Sequence, residues 1–152
     1  MEIGLEKRRA YASSQGDHYL GQWVKGGLFS SDRYQGRGVR VTKEGEIQDG
    51  YFQNGVMSGQ IRIINADGAT YIGQAKDGYR DGHGDQLFAN TQRYVGSWRA
   101  NKMEGIGIYS YPQPTSSKYE GSFHQNEFHG KGKFTDNLGN TAAGEWCMGE
   151  RL

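Results

Sequence analysis

Apolar and polar residues alternate in short runs along this chain, and the runs recur at nearly constant intervals. In the segment YVGSWRANKMEGIGIYSY, residues 94–111, an aromatic residue, a glycine and a second aromatic residue are spaced two positions apart. A second run with the same spacing begins at Gly105, after the mostly polar linker RANKME. Alternation with a period of two is typical of β-strands, whose successive side chains point to opposite faces. The segment therefore predicts two strands joined by a turn, which is a β-hairpin.

The same hairpin pattern recurs along the chain, with a step of 23 or 25 residues from the second unit onwards. Equivalent units begin near Tyr19, Gln48, Tyr71, Tyr94 and Tyr119, and a half-unit begins near Ala142. The first unit carries a six-residue insert within the segment GGLFSSDRYQG. A period of roughly 20 to 50 residues indicates a repeat architecture. The chain has too few leucines, six in all, for a leucine-rich repeat.

Glycine is the compositional outlier, because the chain has 25 glycines among 152 residues, whereas an average chain has about 7%. Neighbouring strands lie only about 4.8 Å apart, so an aromatic ring can lie flat only beside a position without a side chain. We therefore predict that the spaced glycines are the surface against which neighbouring rings pack. The predicted structural glycines are Gly73, Gly82, Gly84, Gly96, Gly105, Gly107, Gly121, Gly130 and Gly132.

These patterns predict an all-β fold, an elongated single-layer antiparallel β-meander of stacked hairpins over residues 19–152. Residues 1–18 form a leader before the repeats. Around the segment EKRRAYA we expect the leader to form a short helix that caps the edge of the first strand, with Ile3, Leu5 and Tyr11 as contacts. At the other end, the half-unit leaves a strand edge that invites pairing with another chain. A homodimer, or a longer natural chain, is expected there.

The repeated segments resemble the MORN repeat, whose unit is approximately Y-x-G-x-W-x-x-G-x-x-x-G-x-G-x-x-x-Y. YVGSWRANKMEGIGIYSY, YIGQAKDGYRDGHGDQLF and YEGSFHQNEFHGKGKF carry the resemblance, which extends from about Tyr19 to Gly149. Some positions depart from the pattern at an aromatic or glycine position. These departures are Gln48, Ile61, Ala75, Asp136 and Ala142.

The resemblance implies an interaction scaffold. Members of this family bind protein partners along the aromatic face, self-associate into elongated dimers, or have been proposed to bind phosphoinositide lipids. They occur in ciliary, cytoskeletal and membrane-junction settings. The sequence has no long apolar stretch and no secretory signal, which predicts a cytoplasmic protein, and the resemblance implies an association with the cytoskeleton or a cilium.

An open sheet with aromatic rings on one face offers a surface for a partner, because large exposed apolar areas usually mark binding sites. We predict a non-catalytic scaffold that binds a partner helix or extended segment along this face. The predicted partner-binding residues are Tyr71, Tyr94, Trp98, Tyr109, Tyr111, Tyr119 and Phe123. Three alternatives remain: the rings only hold the sheet together, the chain binds an anionic lipid surface, or it is an accessory subunit of a larger complex.

Charge and motifs argue against other functions. The 18 Lys and Arg against 17 Asp and Glu leave a net charge of +1, which does not attract nucleic acid. The single cysteine, Cys147, cannot form a disulfide within the chain. His124 and His129 flank one predicted turn without a metal-binding spacing, and GYRDGHGD lacks the lysine of a phosphate-binding loop. We expect no catalysis, no cofactor, no metal and no nucleic acid.

Overall fold

The structure is a computed structural model that describes residues 5–7, 11–13, 16–26 and 32–152. Fourteen β-strands and no helix are found among these described residues. The prediction of an all-β chain built from hairpins is therefore confirmed. The chain divides into two compact units, Met1–Tyr79 and Arg80–Leu152.

In the first unit, antiparallel strands follow one another across the sheet in chain order, from β3 to β7. Their bounds are β3 His18–Val24, β4 Arg33–Val41, β5 Ile47–Gln53, β6 Val56–Ile64 and β7 Thr70–Lys76. Two short strands, β1 Leu5–Lys7 and β2 Tyr11–Ala12, both pair with the edge of β3 that β4 leaves open.

The predicted helix in the leader is wrong where the structure describes that segment. β1 and β2 are extended, and the residues between them lie outside the described residues, as does Ile3. The leader does cover the edge of β3, and the ring of Tyr11 packs edge-on to Trp23 at 5.2 Å. A strand satisfies the unpaired N–H and C=O groups of an edge directly, whereas a helix cannot.

The second unit is also an antiparallel meander in chain order, from β8 to β14. Its strands are β8 Tyr79–Leu87, β9 Arg93–Arg99, β10 Lys102–Ser110, β11 Lys118–His124, β12 Glu127–Thr135, β13 Thr141–Cys147 and β14 Glu150–Arg151. Tyr79 itself belongs to the first unit.

Two-residue turns close several of the hairpins. The turn residues Asn54-Gly55, Ala100-Asn101, Gln125-Asn126 and Met148-Gly149 all have positive φ angles. Positive φ at both central residues defines a type I′ turn, whose twist matches that of the flanking strands. Each polar linker in the sequence pattern thus consists of a short turn and the ends of the two strands that the turn joins.

Alternation along each strand separates a buried face from an exposed one. In β9, the buried residues are Tyr94, Gly96 and Trp98, while Val95 and Ser97 between them are partly exposed. The predicted placement of aromatic and glycine positions on one face is confirmed in this strand. We call this the aromatic face.

Candidate interaction surface

Each repeat with a leading tyrosine is built around a ring that lies along its own strand. The hydroxyl of Tyr94 donates a hydrogen bond to the carbonyl of Ser97, at 2.9 Å. A Cβ atom added to either Gly96 or Gly107 would lie 2.6 Å from Cζ of Tyr94, closer than real Cβ contacts occur. The ring therefore occupies the space that side chains at both glycine positions would need.

This arrangement recurs at the other leading tyrosines. Their hydroxyls donate to the carbonyl three residues later: Tyr19 to Gln22 at 3.1 Å, Tyr71 to Gln74 at 2.7 Å and Tyr119 to Ser122 at 3.1 Å. Sequence analysis missed this hydrogen bond, because its acceptor is a backbone carbonyl that any residue type supplies.

Gly105 and Gly130 have a different role from the one predicted. A Cβ on Gly105 would first meet Ser97 at 3.4 Å, and one on Gly130 would first meet Ser122 at 3.6 Å, so neither glycine lies beneath a ring. Both lie in β-bulges and have positive φ angles, of 79° and 61°. Glycine is favoured there for its backbone conformation. Gly82 also has a positive φ angle, whereas Gly73 and Gly84 are buried in their strands.

Most of the predicted partner-binding rings are buried within the chain. Tyr71, Tyr94, Trp98, Tyr119 and Phe123 each expose 4% or less of their surface. Tyr109 and Tyr111 are only half-buried. Of the seven predicted residues, these two tyrosines are therefore the ones accessible from outside, and the other five contribute to stability.

These rings are buried because they cover one another. Phe123 packs edge-on to Tyr94 at 4.8 Å and to Tyr119 at 5.3 Å, so it bridges two successive repeats. Phe128 stacks flat on Tyr119, with centroids 3.9 Å apart and an interplanar angle of 10°. Such pairs add about 0.5–1.5 kcal/mol each beyond burial.

Burial also predicts that this fold unfolds in alkali. It raises the pKa of Tyr19 to about 12, and it raises the pKa values of five other tyrosines as well. These are Tyr34, Tyr94, Tyr109, Tyr111 and Tyr119. In the unfolded chain a phenol loses its proton near about pH 10, so above that pH the unfolded state binds fewer protons than the folded state. Stability is fully present below about pH 10 and falls as pH rises towards the folded pKa values.

Phenolate absorbance and far-ultraviolet circular dichroism, recorded on the same alkaline titration, test this prediction. We expect much of the ionisation to coincide with loss of the β-sheet signal. Complete ionisation of the tyrosines near about pH 10, with the sheet signal intact, would contradict it.

The two half-buried tyrosines line a groove of about 280 Å³ in the second unit. Its lining residues are Met103, Tyr109, Tyr111, Asn126, Glu127, Phe128, Met148 and Gly149. The Tyr109 ring lies 5.1 Å from that of Tyr111 and 6.3 Å from that of Phe128, measured between centroids. Its hydroxyl donates to Oε1 of Gln92 at 2.6 Å, which holds the phenol in place. We refer to this as the Tyr109 groove.

Met148 occupies an unfavourable backbone position in this groove. It has a φ angle of 50° and is 63% exposed, at the first position of a type I′ turn. Asn54, Asp77, Ala100 and Gln125 occupy the equivalent position in earlier turns, and Asn and Asp tolerate this conformation better than the other residue types do. Sequence analysis missed Met148, although a methionine where a turn favours Asn was a usable signal.

A MORN repeat family model matches residues 71–93, 94–113 and 119–141. The chain is a MORN-repeat protein. Known relatives include Alsin from Rattus norvegicus, Mus musculus and Homo sapiens, each 32% identical over 113 residues. That match covers 68% of this chain but only 7% of the length of Alsin.

Two of the repeated units depart from the tyrosine–glycine arrangement, and in both another side chain takes the place of the ring or the glycine. In the unit that begins at Gln48, glutamine replaces the leading tyrosine, and Ile61 replaces the glycine of the second strand. In the Tyr94 repeat, the equivalent glycine is Gly107, which lies against the ring. Where Ala142 replaces the leading tyrosine, the side chain of Arg151 fills the space, because a Cβ on Gly144 would meet its Nε at 3.0 Å. In the repeat that begins at Gln48, the ring and the second-strand glycine are thus replaced together.

Polar groups on the MORN turns form local hydrogen bonds. Oε1 of Glu104 lies 3.1 Å from Nδ1 of His124, and Oε2 accepts the N–H of Gln125 at 3.1 Å. These bonds hold the pKa of Glu104 below its ordinary value. Within the described residues, no group of three or more His, Cys, Asp or Glu side chains could hold a metal ion. Nor does that part of the chain contain a helix long and apolar enough to cross a bilayer.

Proposed function

We propose that this chain is a non-catalytic protein-interaction module that binds a segment of a partner protein in the Tyr109 groove. One observation carries the proposal: the groove brings the half-buried rings of Tyr109 and Tyr111 together beside the exposed side chain of Met148. Tyrosine and methionine are favoured at binding surfaces because they offer large apolar contacts. MORN repeats without a catalytic motif are consistent with a scaffold.

A lipid-binding surface has less support. Attraction to an anionic bilayer needs basic side chains that are free of acidic partners. Several of the basic residues are instead paired with carboxylates: Arg37 with Asp49 at 3.2 Å, Arg93 with Asp85 at 2.5 Å, Lys118 with Glu120 at 3.1 Å and Lys133 with Glu120 at 3.5 Å. Lipid binding, self-association and a cytoskeletal or ciliary location stay predictions.

Replacing Met148 with Asn tests the groove. We expect Met148→Asn to raise the free energy of unfolding by about 0.5–1 kcal/mol, because Asn relieves the strained turn. Partner capture should fall, because the variant loses an apolar wall of the groove. Affinity purification with mass spectrometry and thermal unfolding together provide the measurement.

Ala100→Asn is the matched control, because Ala100 has a φ angle of 47° at the same position of an earlier turn and does not line the groove. It should gain stability in the same way and retain every partner. If Met148→Asn captures the same proteins in the same amounts as the wild type, the groove is not the binding site.

A further inference from the structure

We propose that His124 and His129 form a two-histidine site that binds a divalent transition-metal ion on the polar face of the second unit, the face opposite the aromatic one. Both histidines are exposed, so a hydrated ion can reach them from solvent. Their ring centroids lie 5.5 Å apart, with an interplanar angle of 50°. The inference goes beyond the proposed function and does not depend on the occupant of the Tyr109 groove.

A β-hairpin brings the two histidines together. His124 ends β11, His129 lies in β12, and a two-residue turn joins these strands. Phe123 pairs with Phe128 across the hairpin, and their rings pack together on the aromatic face. The residues that follow them, His124 and His129, therefore lie on the opposite face. His124 pairs with Glu127, so His129 is the diagonal neighbour of His124, a separation that long side chains can span.

The separation of the rings matches that of two ligands on one ion. With Zn–N bonds of about 2.0–2.1 Å and tetrahedral geometry, two imidazole centroids on one Zn²⁺ ion lie roughly 5–5.5 Å apart. The centroids of His124 and His129 are 5.5 Å apart. Sequence analysis did not predict this site, because the approach of the two rings depends on the register of the hairpin.

Glu104 orients the ring of His124. Its Oε1 lies 3.1 Å from Nδ1 of His124, and its Oε2 accepts the N–H of Gln125 at 3.1 Å. An ionised carboxylate only accepts hydrogen bonds, so Nδ1 carries the proton and Nε2 of the neutral ring keeps its lone pair for an ion. Metal-binding histidines usually donate their other ring N–H to a carboxylate in this way. Glu104 is therefore a positioning residue.

The imidazole ligands determine which ions fit. Zn²⁺, Ni²⁺ and Cu²⁺ bind imidazole nitrogen, whereas Mg²⁺ and Ca²⁺ need oxygen ligands. In the part of the chain that the structure describes, no group of three or more His, Cys, Asp or Glu side chains could hold an ion. The chain thus supplies two ligands, and water or a donor from a partner completes the coordination. Glu104 and the exposed Glu127 add negative charge close to the pair.

Titration of the full chain with Zn²⁺ tests the site, at about pH 7.5, where a free imidazole is neutral. Calorimetry should show saturable binding of a single ion, and nuclear magnetic resonance should show shifts at the rings of His124 and His129. Mg²⁺ should cause no such shifts. His124→Gln and His129→Gln should each weaken Zn²⁺ binding by at least about tenfold, the loss that even an outer partner of a ligand causes.

His18→Gln is the matched control, because His18 is an exposed histidine on β3 in the first unit. It should keep the full affinity for Zn²⁺. Glu104→Gln should weaken binding about tenfold, and long-range ¹⁵N spectra of the metal-free variant should show that His124 no longer holds its proton at Nδ1 alone. An unchanged affinity and tautomer in this variant would contradict the positioning role.

Three results would overturn the site itself. They are the absence of Zn²⁺ binding, an affinity that depends on only one of the two histidines, and an equal loss of affinity in His18→Gln. Circular dichroism of each variant shows whether the sheet is intact, so that loss of the fold is not mistaken for loss of a ligand. The capture experiment with Met148→Asn judges the proposed function separately, because it concerns a different surface.

Discussion

Gly96→Ala is expected to lower the free energy of unfolding by about 3 kcal/mol, at the upper end of the usual cost of overpacking a core. The added Cβ would lie 2.6 Å from Cα of Gly107 on the neighbouring strand and 2.6 Å from Cζ of Tyr94. The contact with Gly107 is with backbone, so no change of rotamer relieves it. Urea and thermal unfolding of the variant against the wild type measure the effect.

Gly144→Ala is the matched control, because Gly144 occupies the same motif position as Gly96 in the half-unit that begins with Ala142. Its added Cβ would meet the end of the Arg151 side chain, at 3.0 Å from Nε, and Arg151 is exposed and able to move. We expect a change of at most about 0.5 kcal/mol, as for most surface substitutions. Similar losses at the two positions would show that contact with the Tyr94 ring and the Gly107 backbone is not the cause.

A double-mutant cycle tests whether the Tyr94 ring is the reason why a side chain is not tolerated at the glycine positions. Gly107→Ile alone should be strongly destabilising, since the Tyr94 ring already occupies that space. Tyr94→Gln should recover part of the loss, because the repeat that begins at Gln48 carries Ile61 at the matching position. A coupling energy of about 1 kcal/mol or more is expected for residues in contact, and additive effects would contradict the proposed coupling.

Trp98→Ala is expected to cost about 3–5 kcal/mol, the usual loss for truncating a buried tryptophan. Trp98 is 4% exposed, packs edge-on to Tyr94 at 5.2 Å and lies under the Arg80 guanidinium. Removing the indole leaves a cavity and exposes both neighbours. The measurement is chemical unfolding, followed by circular dichroism so that loss of indole fluorescence does not interfere.

Trp98→Phe separates a structural role from a binding role. Phe52 and Phe123 occupy the equivalent position in other repeats, so phenylalanine should keep most of the stability and cost less than about 1.5 kcal/mol. If partner capture follows the stability of these two variants, Trp98 contributes to the fold. Loss of capture by a fully stable Trp98→Phe would instead make the indole a binding residue.

The local features were predictable because they depend on spacing along the chain. The interval of two between Tyr94, Gly96 and Trp98 is a property of strands, and these residues do share a buried face. The roles of the glycines were predictable only in part. Gly105 lies on a bulge that shifts the register between β9 and β10, and a spacing rule cannot distinguish a glycine needed for space from one needed for its φ angle.

The candidate site was harder to predict, since exposure depends on every neighbour of a residue. Tyr94 and Tyr111 are both tyrosines within one repeat, yet the first is buried and the second half-buried. The difference arises from the rings that adjacent repeats place over them, such as Phe123 over Tyr94. The Tyr109 groove likewise joins residues from β10, β12 and three of the segments that connect strands.

The amino-acid order alone determined the repeat length, the strands, the turns and the choice of residues for one face. All of these follow from how side chains alternate along an extended backbone and from which residues accept a tight turn. Tertiary structure decided which rings are covered, how the leader meets the first edge and where an apolar groove stays open. Those outcomes depend on the distances between strands of different repeats, and the sequence of a single repeat does not specify these distances.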